Sequence, residues 1–83
     1  MNYIVYVIKN KNGKLYIGQT NNLKRQLFEH NSGLSRYTSS FKGLWNLVYQ
    51  ESWPTRGQAI KREKELKTGR GRDFLKRVLK TAR

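Results

Sequence analysis

The run Tyr3-Ile4-Val5-Tyr6-Val7-Ile8 is β-branched or aromatic at every position and apolar on both parities. A strand with one wet face alternates; this one does not, which is the pattern of a strand buried on both faces. A sheet built on it needs cover on each side, so helices are expected above and below. Asn10-Lys11-Asn12-Gly13-Lys14 then supplies a hairpin turn, and Leu15 to Gln19 reads as the second strand.

The length of that turn decides which side chains share a face. A two-residue loop at Asn12-Gly13 pairs Tyr16 with Lys9 and sends Tyr6 and Tyr16 to opposite faces. A three-residue loop, Lys11-Asn12-Gly13, pairs Tyr16 with Ile8 and leaves Tyr6 diagonal to Tyr16 on one face, roughly 7–8 Å away. The longer loop wants two right-handed residues and then Gly in the left-handed region, which Lys-Asn-Gly suits. The residues permit both loops; the longer is preferred because it gathers the polar-tipped aromatics. Gly13 is thus a structural residue, and Gly18 is read as the strand end that lets the backbone turn into the next helix.

Asn21 or Asn22 can cap a helix ending at His30. Leu23 and Leu27 form its i,i+4 apolar pair, and Lys24, Arg25, Gln26 and His30 share the rest of its surface. Asn31-Ser32-Gly33 ends it, with Gly33 suited to a left-handed C-terminal position. Leu34 to Gly43 reads as loop, with Arg36-Tyr37-Thr38 standing out. A third strand is expected over Leu44 to Gln50, with Trp45, Leu47 and Tyr49 on one face, stopped by Pro54. Thr55-Arg56-Gly57-Gln58 fits a capping box. It opens a helix over about Arg56 to Lys67, with Ala59, Ile60, Glu63 and Leu66 at helical spacing. Gly69 and Gly71 break that helix. A last one turns Phe74, Leu75, Val78 and Leu79 inward and leaves Lys76, Arg77 and Lys80 outside. The expected fold class is α/β (α+β): a small, mainly antiparallel three-stranded sheet flanked by helices, in the order β-β-α-β-α-α, as one domain over residues 1–83.

Eighteen Lys and Arg against five Asp and Glu give a formal charge of +13 on 83 residues, a density that repels itself and attracts polyanions. Nucleic acid is the first candidate partner and an anionic membrane surface the second. There is no cysteine, which excludes disulfides and thiolate-held zinc and fits a reducing compartment. The apolar run at Tyr3 to Ile8 is too short for a membrane span or a signal segment. The expectation is a soluble, cytoplasmic protein with no membrane association and no small-molecule substrate, monomeric without DNA.

Tyr6 in Ile4-Val5-Tyr6, followed by Tyr16-Ile17-Gly18, resembles the paired motif of the GIY-YIG nuclease superfamily, with the first motif degenerate as in its small stand-alone members. The resemblance continues in order through Asn22-Leu23, His30-Asn31-Ser32-Gly33, Tyr37-Thr38, Leu47-Val48-Tyr49, Arg62-Glu63-Lys64 and Leu66-Lys67. It therefore covers nearly the whole chain.

The resemblance implies a phosphodiesterase acting on DNA with one divalent cation, Mg²⁺ or Mn²⁺, held by Glu63. It implies that Tyr6 helps deprotonate the attacking water with Tyr16 beside it, and that His30 is the helix histidine of the site. Such chemistry suits these residue types. Phosphodiester cleavage builds negative charge that a hard cation and a guanidinium neutralise, and a lone carboxylate suits a cation that keeps most of its waters. A phenol, with an ordinary pKa of roughly 10, is a poor base until cations stabilise its phenolate.

One position departs from the family pattern. By spacing from Tyr16 the catalytic arginine falls on Gln26, and His30 in its expected place fixes that register. Arg25 is adjacent, but one helical step turns a side chain by about 100°. Glutamine can donate a hydrogen bond to a phosphate oxygen without charge, and a loss of roughly 10²–10³ in rate is expected. Three explanations stand: a substitution made to trap substrate, which is preferred, a natural inactive member, or rescue by Arg25. No equivalent is assigned between Gly69 and Arg83 for the polar residue, often Asn, that supports the metal in the family.

Taken singly, the same residues have plainer roles. Strand tyrosines pack, His30 suits a helix C-terminus, and Glu63 can be an i,i+4 partner of Lys67. Basic residues at Lys24, Arg25, Arg36, Arg62, Lys67, Arg70 and Arg72, with Tyr37, are the expected nucleic-acid contacts. The rival to an endonuclease is a non-catalytic nucleic-acid-binding module with the same fold and charge; a third reading is a basic protein that prefers structured RNA. Strandedness is left open.

Overall fold

In the computed structural model, which describes residues 2–31 and 45–81, the chain runs β1 (Tyr3–Lys9), β2 (Leu15–Thr20), α1 (Leu23–Asn31), β3 (Asn46–Trp53), α2 (Arg56–Leu66) and α3 (Gly69–Thr81). The three strands form one antiparallel sheet in the order β2-β1-β3, so the doubly apolar strand is central. Two clusters lie on its two faces. Val5 and Val7 pack with Ala59, Leu66 and Leu75 of α2 and α3. Tyr6 and Ile8 pack with Trp45 and, at its margin, Leu23 and Leu27 of α1. The i,i+4 leucine pair and the absence of alternation in β1 thus have one cause, burial between two helical layers.

The hairpin takes the longer loop. Ile8 pairs with Tyr16 and Tyr6 with Gly18. Gly13 has φ +83°, and its N–H donates to the Asn10 carbonyl at 3.0 Å. The buried Asn10 side chain organises the turn: its Oδ1 accepts from the backbone N–H of Asn12 at 3.0 Å and of Lys14 at 2.9 Å. Asn22 caps α1, its Oδ1 accepting from the Arg25 N–H at 3.2 Å. Thr55 caps α2 by accepting from the Gln58 N–H at 3.2 Å.

Several boundaries differ from expectation. β2 continues to Thr20 and Gly18 lies inside it, with no left-handed φ, so it does not make the turn into α1. α1 extends one residue past His30, to Asn31. β3 starts and ends later than expected, and its side chains do not keep one face. A bulge opposite Val7 and Ile8 pairs Tyr49 with Val7 and Leu47 with Ile8, leaving Val48 as the extra residue. Trp45 and Leu47 therefore join the α1 side, while Tyr49 joins the α2–α3 side.

Gly69 and Gly71 do not break a helix; they open α3. The break falls at Lys67 and Thr68, where Thr68 Oγ1 accepts from the Gly71 N–H at 3.2 Å. A Cβ on Gly71 would lie 2.2 Å from the Glu65 carbonyl oxygen, so glycine lets α3 start hard against the end of α2. The expected loop from Leu34 to Gly43 and the C-terminal role of Gly33 fall outside the described residues.

Candidate active site at the tyrosine pair

The hairpin register puts Tyr6 and Tyr16 on the same face, and α1 lowers His30 onto them. The Tyr6 hydroxyl and His30 Nε2 are hydrogen-bonded at 3.0 Å. Ring centroids are 6.2 Å apart for Tyr6–Tyr16, 5.9 Å for Tyr6–His30 and 4.8 Å for Tyr16–His30. The three rings form one contact group. Gly18 is what makes room for it. A Cβ there would lie 2.7 Å from the Tyr6 hydroxyl oxygen and 3.1 Å from a Tyr16 ring carbon, so the Tyr6 phenol lies across the bare backbone of β2.

Burial sets the electrostatics. Tyr6 is 2% exposed. Its phenol is pushed well above the ordinary value, first by burial and then by the neighbouring Tyr16, Glu63 and Glu29. It stays protonated at neutral pH in the free protein. Burial lowers His30, with Glu29 opposing, so the imidazole is held neutral. A protonated phenol beside a neutral ring nitrogen is a pair through which one proton can be passed.

Glu63 reaches this group by charge, not by contact. It lies on the sheet-facing side of α2 with Ala59 and Leu66, and its side chain is 21% exposed. Its Oε2 accepts from Lys67 Nζ at 2.6 Å, the i,i+4 pairing. Among the described residues no group of three His, Asp or Glu side chains converges as a ready-made metal cage. Glu63 is the carboxylate whose charge, with that of Glu29, is felt at the Tyr6 phenol.

Gln26 is half-buried and sits one turn before His30 on the same helix face. Arg25, by contrast, has a 72% exposed side chain paired through Nε with Glu29 Oε2 at 3.0 Å. Its guanidinium belongs to the outer surface of α1, so the geometry gives no support to rescue by Arg25.

The expected nucleic-acid residues divide. Lys24, Arg25, Lys67, Arg70 and Arg72 are exposed, as such contacts require. Arg36 and Tyr37 lie outside the described residues. Arg62 has another role. Its Nε and Nη2 donate to Glu51 at 2.9 Å, and its guanidinium lies 5.0 Å over the Phe74 ring. Glu51 also accepts from the Tyr49 hydroxyl and, at 3.0 Å, from Trp53 Nε1. Arg62 is therefore a latch joining α2, β3 and α3, and its charge is spent on the fold.

Two contributors were not among the expected site residues. The Asn31 amide donates to the Trp45 carbonyl at 3.2 Å and accepts from the Trp45 N–H at 2.6 Å, so it holds the end of α1 against the start of β3 and keeps His30 in place. Glu51 fixes α2. Asn31 carries a signal, its place in the His30-Asn31-Ser32-Gly33 motif; Glu51 carries none.

The GIY-YIG catalytic domain matches residues 2–76. The UPF0213 protein of Staphylococcus epidermidis is 33% identical over 76 residues, covering 92% of this chain and 93% of that protein. The UPF0213 protein of Staphylococcus saprophyticus is 35% identical over 66 residues, with 80% of each chain covered. Among solved structures, the solution NMR structure of a UPF0213 protein from Bacillus halodurans superposes with a TM-score of 0.55 at 30% identity, over 90% of this chain and 82% of that one. The chain therefore belongs to the GIY-YIG family, a nuclease-type family.

Proposed function

We propose that this chain is a divalent-metal-dependent DNA endonuclease whose turnover is impaired by Gln26. The observation that carries the reading is the closed group of Tyr6, Tyr16 and His30, with the charge of Glu63 acting on the same phenol.

Glu63 would hold the cation. The fit is chemical: one carboxylate suits a hard ion that keeps most of its waters and takes a phosphate oxygen, and no described side chain but Lys67 is hydrogen-bonded to that carboxylate. An exposed i,i+4 ion pair is worth only about 0.3–0.5 kcal/mol, so Lys67 yields to a divalent ion readily. When bound, the cation supplies positive charge beside the phenol and the phosphate. The chain's own groups do the rest. Tyr6 would take the proton of the attacking water as a phenolate, its own proton having been released to solvent as positive charge beside it stabilises that form. His30 Nε2, hydrogen-bonded to the same oxygen, holds it in place. Tyr16 walls the site, and Gln26 offers an uncharged amide where a guanidinium would neutralise developing charge.

The test is cleavage of single-stranded, duplex and branched DNA in Mg²⁺ or Mn²⁺ by this chain and its Gln26→Arg variant. Arginine should raise the rate roughly 10²–10³-fold, and Glu63→Ala should abolish it. A rate indifferent to Gln26→Arg removes this account of that position.

A second reading rests on the Glu63–Lys67 pair together with Gln26: a nucleic-acid-binding module without catalysis. Its signature is salt-sensitive binding, log K falling by about 0.9 per phosphate neutralised on duplex DNA, with no cleavage even after arginine is restored.

A further inference from the structure

The outer edge of β2 borders a trough formed by two adjoining cavities that share Leu15, Ile17 and Arg72. One, of about 420 Å³, is completed by Tyr16 and Lys67. The other, of about 340 Å³, is completed by Gly13, Lys14, Leu75 and Lys76. Neither lining contains a carboxylate. Arg72 and Lys76 are one turn apart on α3, so both reach the same side, and Leu75 between them turns inward. The floor is apolar, the rim carries Lys14, Lys67, Arg72 and Lys76, and the trough borders the free edge of β2 at Tyr16, whose ring lies on the other face of the sheet.

We propose that this trough is a track for a single nucleic-acid strand, whose backbone passes round the free edge of β2 to reach the tyrosine pair. The proposal rests on the nuclease reading and names its substrate form. Four cations in a row fit a polyanion, and phosphate contacts position such a chain without reading its sequence. The apolar floor decides the form. Leu15 and Ile17 gain only from the faces of unstacked bases, which a duplex hides and a single strand shows. Lys67 stands at the junction, lining the trough while pairing with Glu63. A phosphate drawn to Lys67 therefore frees the carboxylate proposed to hold the cation, so strand loading and metal loading favour each other.

The experiment measures binding of a fluorescent oligothymidylate, its duplex and inorganic polyphosphate to the intact chain, in chelator and across salt. Lys14→Gln/Lys76→Gln is set against Lys61→Gln/Lys64→Gln, an equal charge loss on exposed positions of α2, with thermal melting as the folding control. The trough predicts that the single strand binds more tightly than duplex or polyphosphate. It also predicts that the trough pair loses about tenfold in affinity, with the salt slope falling by about 1.4, while the α2 pair changes by less than about threefold. Equal loss from both pairs, or polyphosphate binding as well as the oligonucleotide, overturns the track while leaving the nuclease reading to its cleavage assay. No binding of any nucleic acid overturns both.

Discussion

The Tyr6 hydroxyl and His30 Nε2 lie 3.0 Å apart, a bond that ties the central strand to the last turn of α1 across 24 residues of chain. Each partner is at most 3% exposed, so the bond is made where water cannot replace it.

His30 gives the fold a readable pH dependence. Its burial lowers the folded-state value below the ordinary 6.5. As pH falls through 6.5 the unfolded chain takes up a proton that the folded chain refuses, so this contribution to stability is intact above 6.5 and is lost on acidification towards the folded value. His30 is the sole histidine. Urea unfolding from about pH 8 down to about pH 5 should show falling stability, and His30→Gln should flatten that stretch of the profile.

Gly18→Ala should cost about 1–3 kcal/mol, because the added methyl meets the Tyr6 hydroxyl oxygen at 2.7 Å and a fully packed ring has nowhere to move. The same variant should loosen the packing over His30, and NMR titration of the imidazole would register the relieved burial as a return towards 6.5. An unchanged titration would mean that Tyr6 adapts and leaves His30 as buried as before.

Gly13→Ala tests a different property. No atom lies within 4 Å of the added Cβ, so no clash contributes, but φ +83° is a left-handed conformation. The expected loss is about 1–2 kcal/mol by chemical denaturation, with part of it recovered by Gly13→Asn.

Glu51→Ala should destabilise by about 2–3 kcal/mol. It strands the Arg62 guanidinium together with the Tyr49 hydroxyl and the Trp53 ring N–H, and the partial exposure of the pair, 24% and 17%, keeps the loss below that of a fully buried one. Burial alone would raise the Glu51 carboxyl, but the hydrogen bonds from Arg62, Tyr49 and Trp53 outweigh it and hold the carboxyl below the ordinary 4.5. Its share of stability is therefore complete above 4.5 and disappears as pH drops through the lower folded value. Thermal melts in that acid range should converge for the parent and the variant.

The central strand, the hairpin register and the caps were legible because each has a local cause: β1 lacks alternation, Lys-Asn-Gly suits one loop, and Thr55 and Gln58 are spaced for mutual hydrogen bonding. The residues permitted a second loop as well, and the tyrosine pair was the reason for preferring this one. What stayed hidden depends on partners distant along the chain. Nothing near Val48 marks it as a bulge, because the bulge answers to the packing of β1. Arg62 reads like any surface cation until Glu51 is seen beneath it. Gly18 resembles an ordinary strand terminus; its reason for lacking a side chain is a phenol from the neighbouring strand. Gly69 and Gly71 looked like helix breakers, but close approach of two helices also selects for glycine.

The bulge at Val48 has a consequence for any attempt to remodel this scaffold. It works as a phase shifter: upstream of it the chain serves the aromatic layer through Trp45, just before β3, and Leu47, and downstream it serves the opposite layer through Tyr49 and Trp53. Excising that one residue would leave Leu47 opposite Ile8 and Tyr49 opposite Val7, so both halves would keep their faces in a regular ladder. A strand of the present length without the bulge would turn one half the wrong way. The parity of β3 is therefore carried by its backbone as well as by the order of its side chains.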